Sequence, residues 1–129
     1  VAAGVEIDEA MKAADALAGQ GVSAEVVDAF CIKPLDAGTI LASVAKTGCI
    51  VTAEEHSVIG GLGGAVSELL AEAHPAPLER VGMRDCFGTS GEFEELLAYF
   101  HLDAPSIVEA ALKVIARKEE KEHIAGSRA

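Results

Sequence analysis

Two carboxylates and an imidazole stand side by side near the middle of this chain, at Glu54, Glu55 and His56. Such groups serve as general acids and bases in enzymes, and they also bind zinc. At the end of a strand, Glu54 and His56 are expected to share one side while Glu55 faces away. Two ligands without a third nearby do not define a metal site. The sequence therefore predicts no catalytic and no metal-binding residue, and it favours an interface role for these three.

A glycine-rich turn follows, with Gly60, Gly61, Gly63 and Gly64 ahead of a helix expected from about Ala65. Backbone N–H groups at such a helix start can approach an anion, and the helix dipole adds about 0.3–1 kcal/mol in favour of negative charge. The spacing is not G-x-G-x-x-G, and no Lys follows as in a phosphate loop. Two interpretations stay open: contact with an anion, or close packing of the helix start on the sheet or on a partner. Packing is favoured.

Composition narrows the classes of function. The 129 residues carry a formal net charge of −11, which disfavours nucleic acid and anionic membrane surfaces as partners. No apolar run approaches the roughly 20 residues that a membrane span needs. The chain opens without Met and without a basic leader, and its three cysteines are widely spaced, without C-x-x-C. Free thiols in a reducing compartment fit best, so the expected location is the cytoplasm.

The elements that position these residues are predicted from hydrophobic periodicity and from turn and capping signals. Strands and helices alternate along most of the chain, which predicts a three-layer α/β/α fold with a mostly parallel sheet of about five strands. Thr89 and Glu92 are spaced as a capping box for the fourth helix. The predicted strands are the tail of a first strand in VAAG and residues 22–28, 49–53 and 78–83; the predicted helices are residues 7–18, 36–45, 65–73, 92–100 and a last one from 103.

Three segments resemble, in the same order, the C-terminal domain of the transketolase family. They are VVDAFCIKPLD at 26–36, VTAEEHSVIGGLGGAVSELL at 51–70, and RVGMRDCFGTSGEFEELLAYFHLDAPSIVEAA at 80–111. The F-G-x-S-G turn favours the transketolase branch over deoxyxylulose-phosphate synthase and the β subunit of pyruvate dehydrogenase. The resemblance covers about residues 1–117, and residues 118–129 are expected to form a charged tail. It also implies that the first strand is truncated.

The resemblance implies an enzyme that transfers two-carbon ketol units between sugar phosphates of the pentose phosphate type, with thiamine diphosphate and Mg²⁺. In that family the cofactor lies between two other domains, one of which carries a G-D-G motif that this sequence lacks. The domain is thus expected to act as a scaffold and dimerisation domain that binds no cofactor alone. Its expected partners are a homodimer mate and the other transketolase domains or an N-terminal subunit. One alternative is a subunit-docking or regulatory module of a deoxyxylulose-phosphate synthase or α-keto acid dehydrogenase type enzyme. Another is a small-anion binder.

Overall fold

The computed structural model describes residues 1–127, and within them the chain forms three strands and five helices. Parallel strands joined by helical crossovers follow from the alternation of aliphatic runs and amphipathic stretches. In chain order the elements are β1 (Ala2–Ala3), α1 (Glu6–Ala18), α2 (Ala37–Thr47), β2 (Ile50–Ser57), α3 (Leu62–Ala73), β3 (Leu78–Met83), α4 (Phe93–Tyr99) and α5 (Ala104–Ser127).

The sheet has the order β1-β2-β3, and both pairs of strands are parallel. Ala2 pairs with Ala53, while Ile50 pairs with Leu78. Since the strands are parallel, the loops that follow them all leave from one edge, which we call the carboxyl edge. This edge gathers the segments after β1, β2 and β3.

Each face of the sheet is covered by its own aliphatic core. Ala2, Ala53 and Val81 face α1 and α5, where they pack with Ala13 and Ile107. On the opposite face, a second cluster joins α2 and α3 to the sheet, and its members are Ala29, Ile40, Val44, Ile50, Leu62, Val66 and Leu70. The predicted three-layer α/β/α architecture is therefore confirmed.

The predicted number of strands was too high. The structure has three strands in residues 1–127, against about five predicted. Residues 22–28 were expected to form a strand but contribute only an isolated parallel bridge between Asp28 and Ala2. The physical reason is the length of the adjacent strand. Because β1 spans only two residues, the rest of segment 22–28 has no strand residues beside it with which to form hydrogen bonds.

Other boundaries also differ from the predictions. β2 continues to Ser57, so Glu54, Glu55 and His56 lie within the strand rather than after it, and α3 already begins at Leu62. The capping box was wrong, because Glu92 is the N-cap of α4 and no side-chain bond caps that helix. The charged tail expected from residue 118 is helical through Ser127, as part of α5; Arg128 and Ala129 lie outside the described residues.

Two signals were confirmed in detail. Asp36 is the N-cap of α2 and accepts a hydrogen bond from the N–H of Thr39 at 3.1 Å. Gly48 ends that helix with φ +75°, a left-handed conformation that favours glycine. No helix in the described part of the chain is both long and apolar enough to cross a membrane.

Candidate functional site

Glu54 holds the start of helix α3. Its side chain is 3% exposed, and its Oε2 accepts a hydrogen bond from the N–H of Leu62 at 2.7 Å. Its Oε1 accepts a second hydrogen bond from the N–H of Gly63 at 2.8 Å. Both donors belong to the first turn of α3, whose N–H groups have no carbonyl partner inside the helix. The carboxylate thus occupies the positive end of the helix dipole from a neighbouring strand.

The glycines of the turn fall into two kinds. A Cβ on Gly61 would lie 1.9 Å from Oε2 of Glu54, and one on Gly63 would lie 2.7 Å from Cδ of Arg80. These two glycines let the helix start approach the sheet, which supports the close-packing interpretation. Gly60 has φ +76°, and it makes the turn. Gly64 has open space where a Cβ would stand, so packing does not require glycine there.

His56 and Glu55 reach solvent at the carboxyl edge. The Nδ1 atom of His56 lies 2.8 Å from the carbonyl oxygen of Ser57 and 3.8 Å from Oε2 of Glu54. Because a carbonyl oxygen only accepts, a hydrogen bond here requires a proton on Nδ1. Glu55 is exposed and faces away from Glu54, as alternation along a strand requires. The three polar residues therefore do not converge on one point.

Glu6, which the sequence reasoning did not single out, is a fully buried carboxyl group. It lies at the start of α1, directly beyond the carboxyl end of β1, and it is 0% exposed. Neither of its carboxyl oxygens has a hydrogen-bond partner among residues 1–127. Burial, with the nearby carboxylates of Glu9, Glu55 and Asp103, raises the pKa of Glu6 to about 7. The carboxyl group is therefore largely protonated below neutral pH.

Glu9 was also missed, and it repeats the role of Glu54 elsewhere. It is 8% exposed, and its Oε2 accepts a hydrogen bond from the N–H of Ala104, the first residue of α5, at 2.7 Å. Its Oε1 pairs with Lys12. A signal for Glu6 and Glu9 does exist in the sequence: three acidic residues crowd the first turn of a helix that opens beside a strand. That pattern predicts dipole stabilisation, but it does not tell which carboxylates are buried.

Large exposed apolar side chains also follow the strands at the carboxyl edge. Ile59 is 64% exposed, Phe30 is 90% exposed and Phe87 is fully exposed. Each follows a different segment of the sheet: Phe30 comes after the bridge at Asp28, Ile59 after β2 and Phe87 after β3. Exposed aromatic and aliphatic side chains in several loops that leave one edge of a sheet are typical of a contact surface.

The remaining nucleophiles and ligands are dispersed. Cys31, Cys49 and Cys86 are free thiols, and burial raises the pKa of Cys49, which suits a packing residue better than a reactive one. In the part of the chain that the structure describes, no three His, Cys, Asp or Glu side chains are grouped to hold a metal ion. The arrangement thus favours close packing and contact, since the carboxylates of Glu54 and Glu9 bond to the starts of α3 and α5.

Comparison with known proteins identifies the family of this chain. The family model for the C-terminal domain of transketolase matches residues 1–107, so the chain belongs to the transketolase family through this domain. The resemblance drawn from the IKPLD, GGLG and F-G-T-S-G segments is confirmed.

Two related proteins and one solved structure show which members of the family the chain is similar to. It is 51% identical over 118 residues to the 6-deoxy-6-sulfo-D-fructose transketolase subunit SqwH of a Clostridium species (strain MSTE9), covering 92% of this chain and 37% of that protein. It is 39% identical over 120 residues to 1-deoxy-D-xylulose-5-phosphate synthase 1 of Geobacter sulfurreducens, covering 92% of this chain and 19% of that protein. A solved structure described as a split gene transketolase, inactive beta4 tetramer, superposes with a TM-score of 0.88 at 44% identity, covering 91% of this chain and 38% of that one.

The chain therefore spans little more than a third of the transketolase subunit it matches, and less of the synthase. Relatives in this family depend on thiamine diphosphate. The glycine-rich start of α3 does not fit the diphosphate of that cofactor, because the Glu54 carboxylate already accepts from the N–H groups of Leu62 and Gly63. A second anion there would meet a buried negative charge.

Proposed function

We propose that this chain is the scaffold and interface domain of a transketolase-type enzyme that transfers two-carbon ketol units between sugar phosphates in the cytoplasm. Thiamine diphosphate and Mg²⁺ would be held by other domains, on the same polypeptide or on an N-terminal subunit. The observation that carries the proposal is the carboxyl edge: the buried carboxylate of Glu54 bonds to a helix start, while Phe30, Ile59 and Phe87 stand exposed in segments that leave the same edge.

The residues of the predicted site form two groups, exposed and buried, and each group would contribute differently to contact with a partner. Glu55, His56 and Gly60 reach solvent and would touch the partner. Glu54, Gly61 and Gly63 are buried and would act indirectly, since they fix the position of the turn that presents Ile59 and Gly60. For the same reason, a Gly63→Asp change would test folding rather than docking. Exposed apolar residues are the better probes of the surface.

The first experiment tests competence. The purified chain is mixed with thiamine diphosphate, Mg²⁺, xylulose 5-phosphate and an acceptor aldose phosphate, with and without the remaining section of the 51% identical Clostridium enzyme. We expect no ketol transfer from the chain alone and measurable transfer from the mixture. Turnover by the chain alone would overturn the proposal that its chemistry lies in other domains.

A second experiment tests the surface. Phe87→Asp and Ile59→Asp place a charge on exposed positions, so folding is retained, but a buried contact with the partner would be lost. Ile124→Asp, on the far part of α5 and 53% exposed, is the matched control. We expect the first two variants to weaken association by at least about tenfold, or 1.4 kcal/mol, in sedimentation or pull-down assays. Equal binding by all three variants would exclude the carboxyl edge as the interface.

The second candidate function is a docking or regulatory module of a deoxyxylulose-phosphate synthase type enzyme, favoured by the 39% identity to the Geobacter synthase. An assay of the chain combined with the remaining section of the enzyme distinguishes these two candidate functions. Condensation of pyruvate with glyceraldehyde 3-phosphate supports the synthase, and ketol transfer from xylulose 5-phosphate supports the transketolase. The same assembly would show whether the chain forms a homodimer interface in addition to binding the remaining domains.

A further inference from the structure

A cluster of four acidic side chains surrounds the start of α1 at the carboxyl edge, and one of them is fully buried. Glu6 is 0% exposed, and its two carboxyl oxygens have no hydrogen-bond partner among residues 1–127. The nearby carboxylates come from three places: Glu9 on α1, Glu55 on β2 and Asp103 immediately before α5. Buried polar groups in folded proteins are nearly always hydrogen-bonded, because an unpaired one loses its hydration without compensation. Glu6 therefore lacks a partner that its burial requires.

The neighbours of Glu6 do not supply this partner. Glu9 already bonds to the start of α5 and to Lys12, whose side chain is 65% exposed. Asp103 accepts hydrogen bonds from the N–H and the hydroxyl group of Ser106. β1 contains only alanines, so it brings no titratable group. The charged neighbours that act on Glu6 are thus carboxylates, and its partner must come from outside the described chain.

The arrangement of the carboxylates limits the chemistry of that partner. An anion would be repelled by the negative charge of the cluster. A divalent metal ion needs several converging ligands, and no three His, Cys, Asp or Glu side chains within residues 1–127 are grouped to hold one. A single ammonium or guanidinium group needs only one or two carboxylates, with which it forms short charge-assisted hydrogen bonds. The cluster therefore suits one Lys or Arg side chain.

Glu6 is buried, but its backbone is close to the surface. Gly4 and Val5, the two residues before it, are both exposed, and a Cβ on Gly4 would have open space around it. Glu55 is exposed near the end of β2, on the same edge as the exposed side chain of Ile59. A side chain that a partner brings to this edge therefore meets Glu55 directly. It reaches Glu6 once the exposed turn of Gly4 and Val5 shifts.

We propose that Glu6 and Glu55 form an acceptor site for one Lys or Arg side chain of the section that carries the remaining transketolase domains. This inference rests on the function proposed above, since it assigns one specific contact to that interface. In the free chain a proton neutralises Glu6 at acid pH, and in the complex the partner's cation neutralises it instead. Ionised Glu6 thus destabilises the free chain but stabilises the complex, so its replacement should change the two properties in opposite directions.

The test measures the Kd of the chain for the remaining section of the 51% identical Clostridium enzyme by calorimetry at pH 6 and pH 8. The pKa of Glu6 is about 7 in the free chain, so its ionised fraction rises about tenfold between these pH values. We expect binding to be about tenfold tighter at pH 8. Glu6→Gln should weaken binding at pH 8 by at least about tenfold and remove most of the pH dependence, while its Tm at pH 8 is no lower than that of the wild type. Glu120→Gln, exposed on α5, is the matched control and should bind as the wild type does.

Three outcomes would contradict the acceptor site, and each has a different meaning. Association of the wild type that Glu6→Gln matches at both pH values would overturn the site and leave the proposed interface intact. Failure of the wild-type chain to associate at all would overturn the proposed function, and the site with it. A rise in the Tm of the free wild-type chain with MgCl₂ or KCl, absent in Glu6→Gln, would identify an inorganic cation as the occupant and overturn the assignment to a side chain.

Discussion

Glu54 and Glu6 are two buried carboxyl groups at the same edge of the sheet, associated with adjacent parallel strands. Glu54 is 3% exposed and accepts two hydrogen bonds from the first turn of α3. Glu6 is 0% exposed, and its two oxygens have no partner among residues 1–127. Its neighbours Glu9, Glu55 and Asp103 are acidic, and together with burial they raise the pKa of Glu6 to about 7.

The difference teaches that burial by itself does not decide the state of a carboxyl group. A helix start supplies both N–H donors and the positive end of a dipole, so a carboxylate is stabilised there without a cation. A carboxyl group buried beside other carboxylates has a raised pKa, because both burial and the like charges disfavour its ionised form. One edge of the sheet therefore holds a carboxyl group that caps a helix start and, beside the neighbouring strand, a carboxyl group whose pKa is raised to about 7.

The largest effect is expected from Gly61→Ala. The new Cβ would lie 1.9 Å from Oε2 of Glu54, so it must displace the carboxylate or the helix start. We expect a loss of about 4 kcal/mol in the free energy of unfolding, measured by urea denaturation. Gly64→Ala is the matched control: it has open space, lies within α3 and should gain up to about 1 kcal/mol. Similar values for the two variants would contradict the close-approach argument.

Glu54→Gln should come next in size. The amide group keeps the shape but turns an NH₂ towards one of the two helical N–H groups, so a buried donor is left unpaired. We expect a loss of about 3 kcal/mol from chemical denaturation. Glu55→Gln, on the exposed side of the same strand, should change stability by no more than about 0.5 kcal/mol. A loss at Glu54 as small as that at Glu55 would show that the helix start finds other partners.

Glu6→Gln is expected to stabilise the protein, and only at higher pH. The folded pKa of about 7 exceeds the ordinary value of 4.5, so the folded state binds the proton more tightly. The native protein therefore loses stability as the pH rises from about 4.5 to 7, and the loss is complete above 7. Glutamine stays neutral, so we expect a gain of roughly 2–3 kcal/mol at pH 8 and little change at pH 4. Glu120→Gln, exposed on α5, is the control for charge removal. A gain that does not depend on pH would show that Glu6 is not the titrating group.

The smallest effect belongs to Asp36→Ala. This residue caps α2 from the adjacent position in sequence, with its carboxylate exposed and bonded to the N–H and hydroxyl groups of Thr39. We expect a loss of about 1 kcal/mol in thermal or urea unfolding. Thr39→Val removes only the hydroxyl bond and should cost less. If Asp36→Ala costs as much as Glu54→Gln, then the greater burial of Glu54 adds nothing to its cap.

These two caps also mark the limit of sequence reading. Asp36 was predicted because an N-cap lies next to the helix it serves, and Gly48 because a glycine ends a helix locally. Glu54 serves Leu62, eight residues away, and Glu9 serves Ala104, 95 residues away. No local sequence pattern predicts partners so far apart in the chain. The capping box predicted from Thr89 and Glu92 was wrong, because α4 starts without a side-chain cap.

The sequence by itself determined the α/β alternation, the parallel sheet, the family and the segment where polar and glycine residues meet, because hydrophobic periodicity and turn chemistry are local properties of a chain. Only the tertiary structure decided that Glu54 caps a helix start while Glu6 has no hydrogen-bond partner among residues 1–127, and that Gly61 and Gly63 are required by close approach. The reason is that burial and hydrogen-bond pairing depend on residues distant in sequence that folding brings together.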